Sequence, residues 1–337
     1  MYRARAACSS DRPGWPRLIG DIGGTNIRFA WLAQAGEALG HFRVLASEAF
    51  DGPVHAIGHY LAQTGLPRPH AVALGLASPV RGDVVTMTNL PWTFSIETLR
   101  TELDLQHLLV LNDFTALALA IPTLSTDQLR SIGPRELASP GPIGLLGAGT
   151  GLGVSGLLPV PGQPKRWVPV MGEGGHVTLA AENELERSII QFLRRRHDHV
   201  SAERVLSGSG LVELYHALNH AEGQQGLDLL SAAEIMDLGL RQPDSAARRV
   251  LELFCGWLGS VAGNLALTLG AHGGVYIGGG IAPRMRELLI QSSFRQRFIH
   301  KGRFQAYLEG IPTWLIDSAA LPTLEGAALA LEWSCES

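Results

Sequence analysis

Leu18-Ile19-Gly20-Asp21-Ile22-Gly23-Gly24-Thr25-Asn26-Ile27-Arg28-Phe29-Ala30-Trp31-Leu32 reads as strand, glycine turn, strand, because apolar runs flank residues whose backbone reaches angles that others avoid. Paired glycines let several amides face one point and form a concave anion site. Thr25 and Asn26 add donors, and Asp21 can hold a cation or its waters. A ligand-free hairpin would account for the glycines, but not for an acid and a hydroxyl set on either side of them. A terminal phosphate with magnesium fits the turn.

The pattern returns at Ile143-Gly144-Leu145-Leu146-Gly147-Ala148-Gly149-Thr150-Gly151-Leu152-Gly153-Val154. Two copies of one ligand-gripping hairpin imply a duplicated architecture, with Gly149 and Thr150 as further nucleotide contacts. The second copy lacks the G-x-G-x-x-G spacing and runs on into a β-like segment, which disfavours a dinucleotide fold and hydride transfer.

Between the hairpins, Leu108-Leu109-Val110-Leu111 leads into Asn112-Asp113 and then Phe114-Thr115-Ala116-Leu117-Ala118-Leu119-Ala120. Four apolar residues and an Asx pair fit the carboxyl end of a parallel strand, the edge of an α/β sheet where ligands collect. Either Asx could simply cap the helix that follows. In the company of two phosphate-type turns, Asp113 becomes the candidate general base. The helix amino end should keep its carboxylate charged near neutral pH.

Gly172-Glu173-Gly174-Gly175-His176 carries too much glycine for a helix, so Glu173 and His176 belong to a loop. A carboxylate acceptor beside an imidazole suits a polyhydroxylated ligand, whose neighbouring hydroxyls need both an acceptor and a donor. Ser201 to Gly208 reads as a short helix with a further one from Leu211 to Ala217, and Glu203 by itself is a first-turn surface acid. Gly273 to Pro283 is strand, triple glycine, helix start. A flat nucleoside ring can lie on the backbone of Gly279 and Gly280, although a tight strand-to-helix connection explains the same glycines. Asn89 either touches a substrate or holds its own loop.

At 337 residues the chain is long for a single core. The boundaries predicted are a solvated, disordered tail over 1–16, a small α/β domain from 17–122 plus 313–337, a large one over 123–312, and a cleft between the two domains. A net charge of −4 offers no basic field for nucleic acid or an anionic membrane. Cys8, Cys255 and Cys335 lie far apart without a Cys-x-x-Cys pair, which disfavours zinc and disulfides. Val250 to Ala271 contains Glu252, Asn264 and several glycines, as a packed core helix does. The N-terminal residues carry no apolar run of a secretory signal, and the expected location is the cytoplasm.

DIGGT at 21–25, LNDF at 111–114, GAGTGLG at 147–153, GEGGH at 172–176, SAERVLSG at 201–208 and GGVYIGGGI at 273–281 together resemble the bacterial glucokinase family. The resemblance spans roughly Leu18 to Leu331. It implies the two-domain actin-like, ribonuclease H-like ATPase fold and ATP-dependent phosphorylation of glucose at its 6-hydroxyl, with Mg²⁺ carried by ATP and a homodimeric state. By motif position Asp113 is the catalytic base, Asn112, Glu173, His176 and Glu203 are sugar ligands, and Gly20, Asp21, Ile22, Gly23, Gly24 and Thr25 form the phosphate loop. Ser209 stands where the family often has Pro, and Thr178 where Asp is common. The Cys-rich zinc motif of the related repressor and open-reading-frame kinases is missing. A kinase for another hexose, such as mannose or an amino sugar, is the near alternative. A nucleotide-dependent regulatory protein of the same fold is the distant one, and it would have no need of Glu173 with His176.

Overall fold

Residues 2–5, 14–134, 140–224, 229–317 and 322–336 are described in the computed structural model. Two units form, 1–124 with 318–337 and 125–317.

The first unit contains β1 (Tyr2–Arg5), β2 (Arg17–Ile22), β3 (Asn26–Leu32), β4 (Gly40–Ala46), β5 (Ala71–Leu76), β6 (Val84–Thr86), β7 (Thr93–Ser95) and β8 (His107–Asn112), with β6 and β7 making a separate ribbon. Its six-stranded sheet runs β1-β8-β5-β2-β3-β4, with β2, β5 and β8 parallel and the others antiparallel to their neighbours. The three parallel strands are nearly continuous apolar runs because both faces are covered. On one face Leu18, Phe29, Leu74 and Val110 pack with Ile57 and Tyr60 of α1 (Pro53–Thr64), Ile96 and Leu99 of α2 (Ile96–Glu102), and Trp92. On the other lie α3 (Asp113–Ala120) and the C-terminal helix, Pro322–Glu336. A side chain at Gly326 would collide with the Ala116 carbonyl, so these two helices meet backbone against backbone.

The second unit repeats this plan. Its strands β9 (Leu129–Ser131), β10 (Ile143–Ala148), β11 (Leu152–Val160), β12 (Gln163–Met171), β13 (Val275–Gly278) and β14 (Thr313–Ile316) run β12-β11-β10-β13-β14-β9. Strands β10, β13 and β14 are parallel, and the hairpin strands and β9 are antiparallel. Position by position, order and direction match the first sheet, which extends the hairpin echo to a whole domain. Around it stand α4 (Glu184–Leu193), α5 (Gly208–Ala221), α6 (Ala232–Arg241), α7 (Ala246–Leu269), α8 (Arg286–Gln291) and α9 (Phe294–Ile299). Helix α7, though long and apolar enough to span a bilayer, is mostly buried in this core. Gly259 and Gly263 leave room on α7 for the Phe294 and Phe298 carbonyls of α9. Where α4, α7 and α9 meet, Arg297 bridges buried Glu186 at 2.5 Å and 3.2 Å, Glu182 at 3.0 Å and the Ser260 hydroxyl at 2.9 Å.

Three sequence expectations change. Residues 2–5, assigned to the disordered tail, form β1 against β8; Tyr-Arg-Ala-Arg has no apolar run to betray an edge strand. Thr313–Ile316, assigned to the small domain with 313–337, is β14 of the second sheet, and the chain returns to the first unit only after Asp317. The segment 201–208 is one 3₁₀ turn, Ala202–Arg204, followed by α5 from Gly208 under a Ser207 cap. Cys255 and Cys335 are free thiols, and Cys8 lies outside the described residues.

Candidate active site

The turn between β2 and β3 is built by hydrogen bonds that leave two amides over. Gly23 N–H donates to the Asn26 carbonyl at 2.9 Å, closing the hairpin. The Gly24 and Thr25 amides have no acceptor among the described residues, and Thr25 is exposed. Gly24 lies against Asn89, whose Cβ would be 2.8 Å from a side chain there. Gly20 and Ile22, expected in the phosphate loop, precede the turn. Both belong to β2, where Ile22 is fully buried and a Cβ on Gly20 would press on Leu74 at 2.7 Å and Phe29 at 2.8 Å. The glycine of the motif at 20 is thus required by the core, and the amides left over in the turn are those of Gly24 and Thr25.

Asp21 points to the opposite face from Gly20. Its Oδ2 accepts from Arg28 Nη1 at 2.9 Å, across the β2–β3 pair in which the two residues are direct partners. Burial raises the Asp21 pKa above the usual carboxylate range, with Arg28 opposing it. Gly75 of β5 is its register partner on the other side, and a Cβ there would lie 3.7 Å from the Asp113 backbone. A glycine between the two acids keeps the sheet surface flat where Asp113 sits.

Asp113 opens α3 at the carboxyl end of β8. Its Oδ1 accepts from Phe114 N–H at 2.8 Å. Burial first, and the nearby Asp21 carboxylate second, push its pKa up to about 7, against the backbone donors of Phe114 and Asp113 and the Asn112 side chain. The expectation of a carboxylate held fully charged by the helix amino end is therefore corrected. Asn112 is the cap of α3: Oδ1 accepts from the Phe114 and Thr115 amides at 3.0 Å and 3.3 Å, and Nδ2 reaches the Leu76 and Ser78 carbonyls at 3.4 Å. The side chain assigned to sugar is engaged on both its oxygen and its nitrogen.

In the second unit, glycines bring an acid onto a hairpin. Glu203 Oε2 accepts from Leu152 N–H at 2.8 Å and occupies the space that a side chain on Gly151 would fill. Its Oε1 stands 3.8 Å from His176 Nδ1. Gly175 has no room for a Cβ over the Leu152 carbonyl, so the loop carrying Glu173 and His176 is pressed onto β11. Glu173 is exposed, with no side-chain partner among the described residues. Three of the four expected sugar ligands thus stand on this unit, around one hairpin. Glu203 proves to be no plain surface acid, since its carboxylate is tied to β11 from the turn after the loop.

Carboxyl ends of the parallel strands β10 and β13 carry the remaining candidates. Gly279, at φ +80°, sits against the Ala148 carbonyl, a conformation and an approach that only glycine permits. Gly149 and Gly280 have open space where a Cβ would be, and Thr150 and Gly280 are exposed. Gly279 is therefore needed by the fold; Gly149 has its N–H on the Gly151 carbonyl and its carbonyl on the Gly208 N–H, each at 2.8 Å, while Thr150 and Gly280 are exposed beside it.

Sequence reading missed Arg28, Gly75, Leu152 and Ser47. Arg28 could have been found by counting back from the turn, which sets it opposite Asp21. The Leu152 amide and buried Ser47, whose hydroxyl donates to the Gly23 carbonyl at 2.8 Å, have no local signature.

The protein-family model described as Glucokinase matches residues 18–333. A glucokinase of Aromatoleum aromaticum is 49% identical over 319 residues, covering 94% of this chain and 95% of its own. A glucokinase of Chromobacterium violaceum is 49% identical over 94% of this chain and 89% of its own. The crystal structure of a glucokinase from an Antarctic psychrotroph superposes with a TM-score of 0.82 at 35% identity, over 94% of this chain and 98% of that one. With the duplicated sheets, the two glycine hairpins and the acid at the end of β8 in place, the chain belongs to the glucokinase family.

Proposed function

We propose that this protein transfers the terminal phosphoryl group of ATP to the 6-hydroxyl of glucose, with Asp113 as general base. The observation that carries the reading is the Asp113 carboxylate itself: it is fixed at the start of α3 by the Phe114 amide, and its pKa is raised to about 7. A base of that strength is matched to neutral pH, and such proton removal is worth about 10²- to 10⁴-fold. As the sugar oxygen bonds to phosphorus and the bond to ADP breaks, the hydroxyl proton passes to Asp113. The Gly24 and Thr25 amides are assigned to phosphate oxygens, and Gly149, Thr150, Gly279 and Gly280 to the nucleotide, Gly279 by shaping the backbone. Glu173, His176 and Glu203 are assigned to the sugar hydroxyls as acceptors and donor. Asn112 contributes chiefly by fixing the helix start on which Asp113 stands.

Among the described residues no group of three or more His, Cys, Asp or Glu could hold a metal by itself. Mg²⁺ is assigned to the ATP phosphates, with Asp21 reaching it through water, a donor set that suits an ion that keeps several waters. When bound it would neutralise charge on the transferring group. A homodimer acting in the cytoplasm at the first step of glycolysis completes the proposal, with no nucleic-acid or membrane partner, in keeping with the net charge of −4.

Coupled detection of ADP from purified protein, ATP and Mg²⁺ with glucose, mannose or glucosamine tests this. Glucose-dependent release, lost with EDTA, is expected. Equal ATP hydrolysis with and without sugar would favour the nucleotide-dependent regulatory protein, and a preference for mannose would move the substrate.

A further inference from the structure

We propose that Ser47 is a positioning residue for the phosphate turn, an inference that rests on assigning the Gly24 and Thr25 amides to ATP. Ser47 follows β4 and is fully buried, 0% exposed. It grips the turn at both ends. Its hydroxyl donates to the Gly23 carbonyl at 2.8 Å, and its backbone N–H donates to the Thr25 carbonyl at 3.0 Å.

The consequence follows from peptide geometry. A trans peptide carries its C=O and N–H on opposite sides of a rigid plane. Aiming the Gly23 carbonyl at Ser47 therefore turns the Gly24 N–H away from Ser47. With glycine at 23 and 24, nothing intrinsic would hold these planes, since glycine backbones sample both signs of φ with equal ease. Ser47 supplies the missing restraint from the turn that follows β4. Its own segment is anchored in turn, because the indole N–H of buried Trp92 donates to the Phe50 carbonyl at 3.0 Å, and the Phe50 amide donates to the Ser47 carbonyl at 3.3 Å. An anion site assembled before the anion arrives binds it without an ordering cost.

Steady-state kinetics and amide hydrogen exchange on the full-length protein test the proposal. In the unaltered protein the Gly24 and Thr25 amides should exchange fast and slow on adding ATP. Ser47→Ala should lower kcat/KM for ATP about tenfold, the scale of one buried hydrogen bond, leave KM for glucose within about twofold, and abolish most of the protection by ATP. Ser47→Cys, similar in volume but a weak donor, should fall between the two and serves if the alanine variant does not fold. ATP kinetics unchanged in Ser47→Ala, equal losses toward both substrates, or ATP that leaves the 24–25 amides of the unaltered protein unprotected would each overturn it. If the unaltered protein releases no ADP with glucose, the proposed reaction fails instead, and exchange with ATP alone still decides the role of Ser47.

Discussion

Replacing Asp113 with Asn changes its charge while keeping its shape, because the amide oxygen can still accept from Phe114 N–H. Its pKa in the fold is about 7 against 3.8 for an unperturbed side chain, so ionising it costs the native state about 4 kcal/mol at 1.36 kcal/mol per unit. The side chain is only partly shielded, and about 2–4 kcal/mol is the working range. Below about pH 4 both states are protonated and the cost vanishes; it grows as pH rises from about 4 to 7 and is complete above that. Urea denaturation of the two proteins should therefore coincide near pH 4 and diverge with rising pH, the Asn variant being the more stable by about 2–4 kcal/mol at pH 8. Over the same interval, kcat/KM of the unaltered enzyme should rise with pH to a plateau with a midpoint near 7. Asp113→Asn should lower turnover about 10²- to 10⁴-fold. Turnover above a tenth of normal, or a stability difference that does not widen between pH 4 and 8, would refute the reasoning.

Gly175→Ala drives a methyl into the Leu152 carbonyl; a KM for glucose raised about tenfold or more, with a smaller change for ATP, is expected from initial rates. Gly326→Ala pushes the C-terminal helix off the Ala116 carbonyl and should cost about 1–3 kcal/mol in urea unfolding. Arg297→Met leaves buried Glu186 without its cation and should cost about 3–5 kcal/mol, with much of that recovered in the Arg297→Met/Glu186→Leu pair.

How much was legible depends on whether a signal is local. Both hairpins could be read because each is a short apolar-glycine-apolar run, and the strand-to-helix join at Asn112-Asp113 is marked by a change from apolar to polar. The environment of Asp113 could not be read. Its raised pKa comes from burial and from Asp21, a side chain two strands away in the sheet. The same distance hides Ser47, 24 residues from the carbonyl it holds, and the Leu152 amide, 51 from Glu203. Asn112 carried two meanings, cap and ligand, that composition alone cannot separate. The boundary at 313 went astray because a buried strand looks the same whichever sheet receives it.

Strand β1 has a practical bearing on handling the protein. It stands against β8 as β9 stands against β14, so it is the selvedge of the first sheet. Trimming the chain to begin at Gly14 would bare a row of peptide groups on β8, the very strand that leads into Asp113. Such a raw margin invites pairing with another molecule, and a shortened version should be sticky in solution before it is inactive.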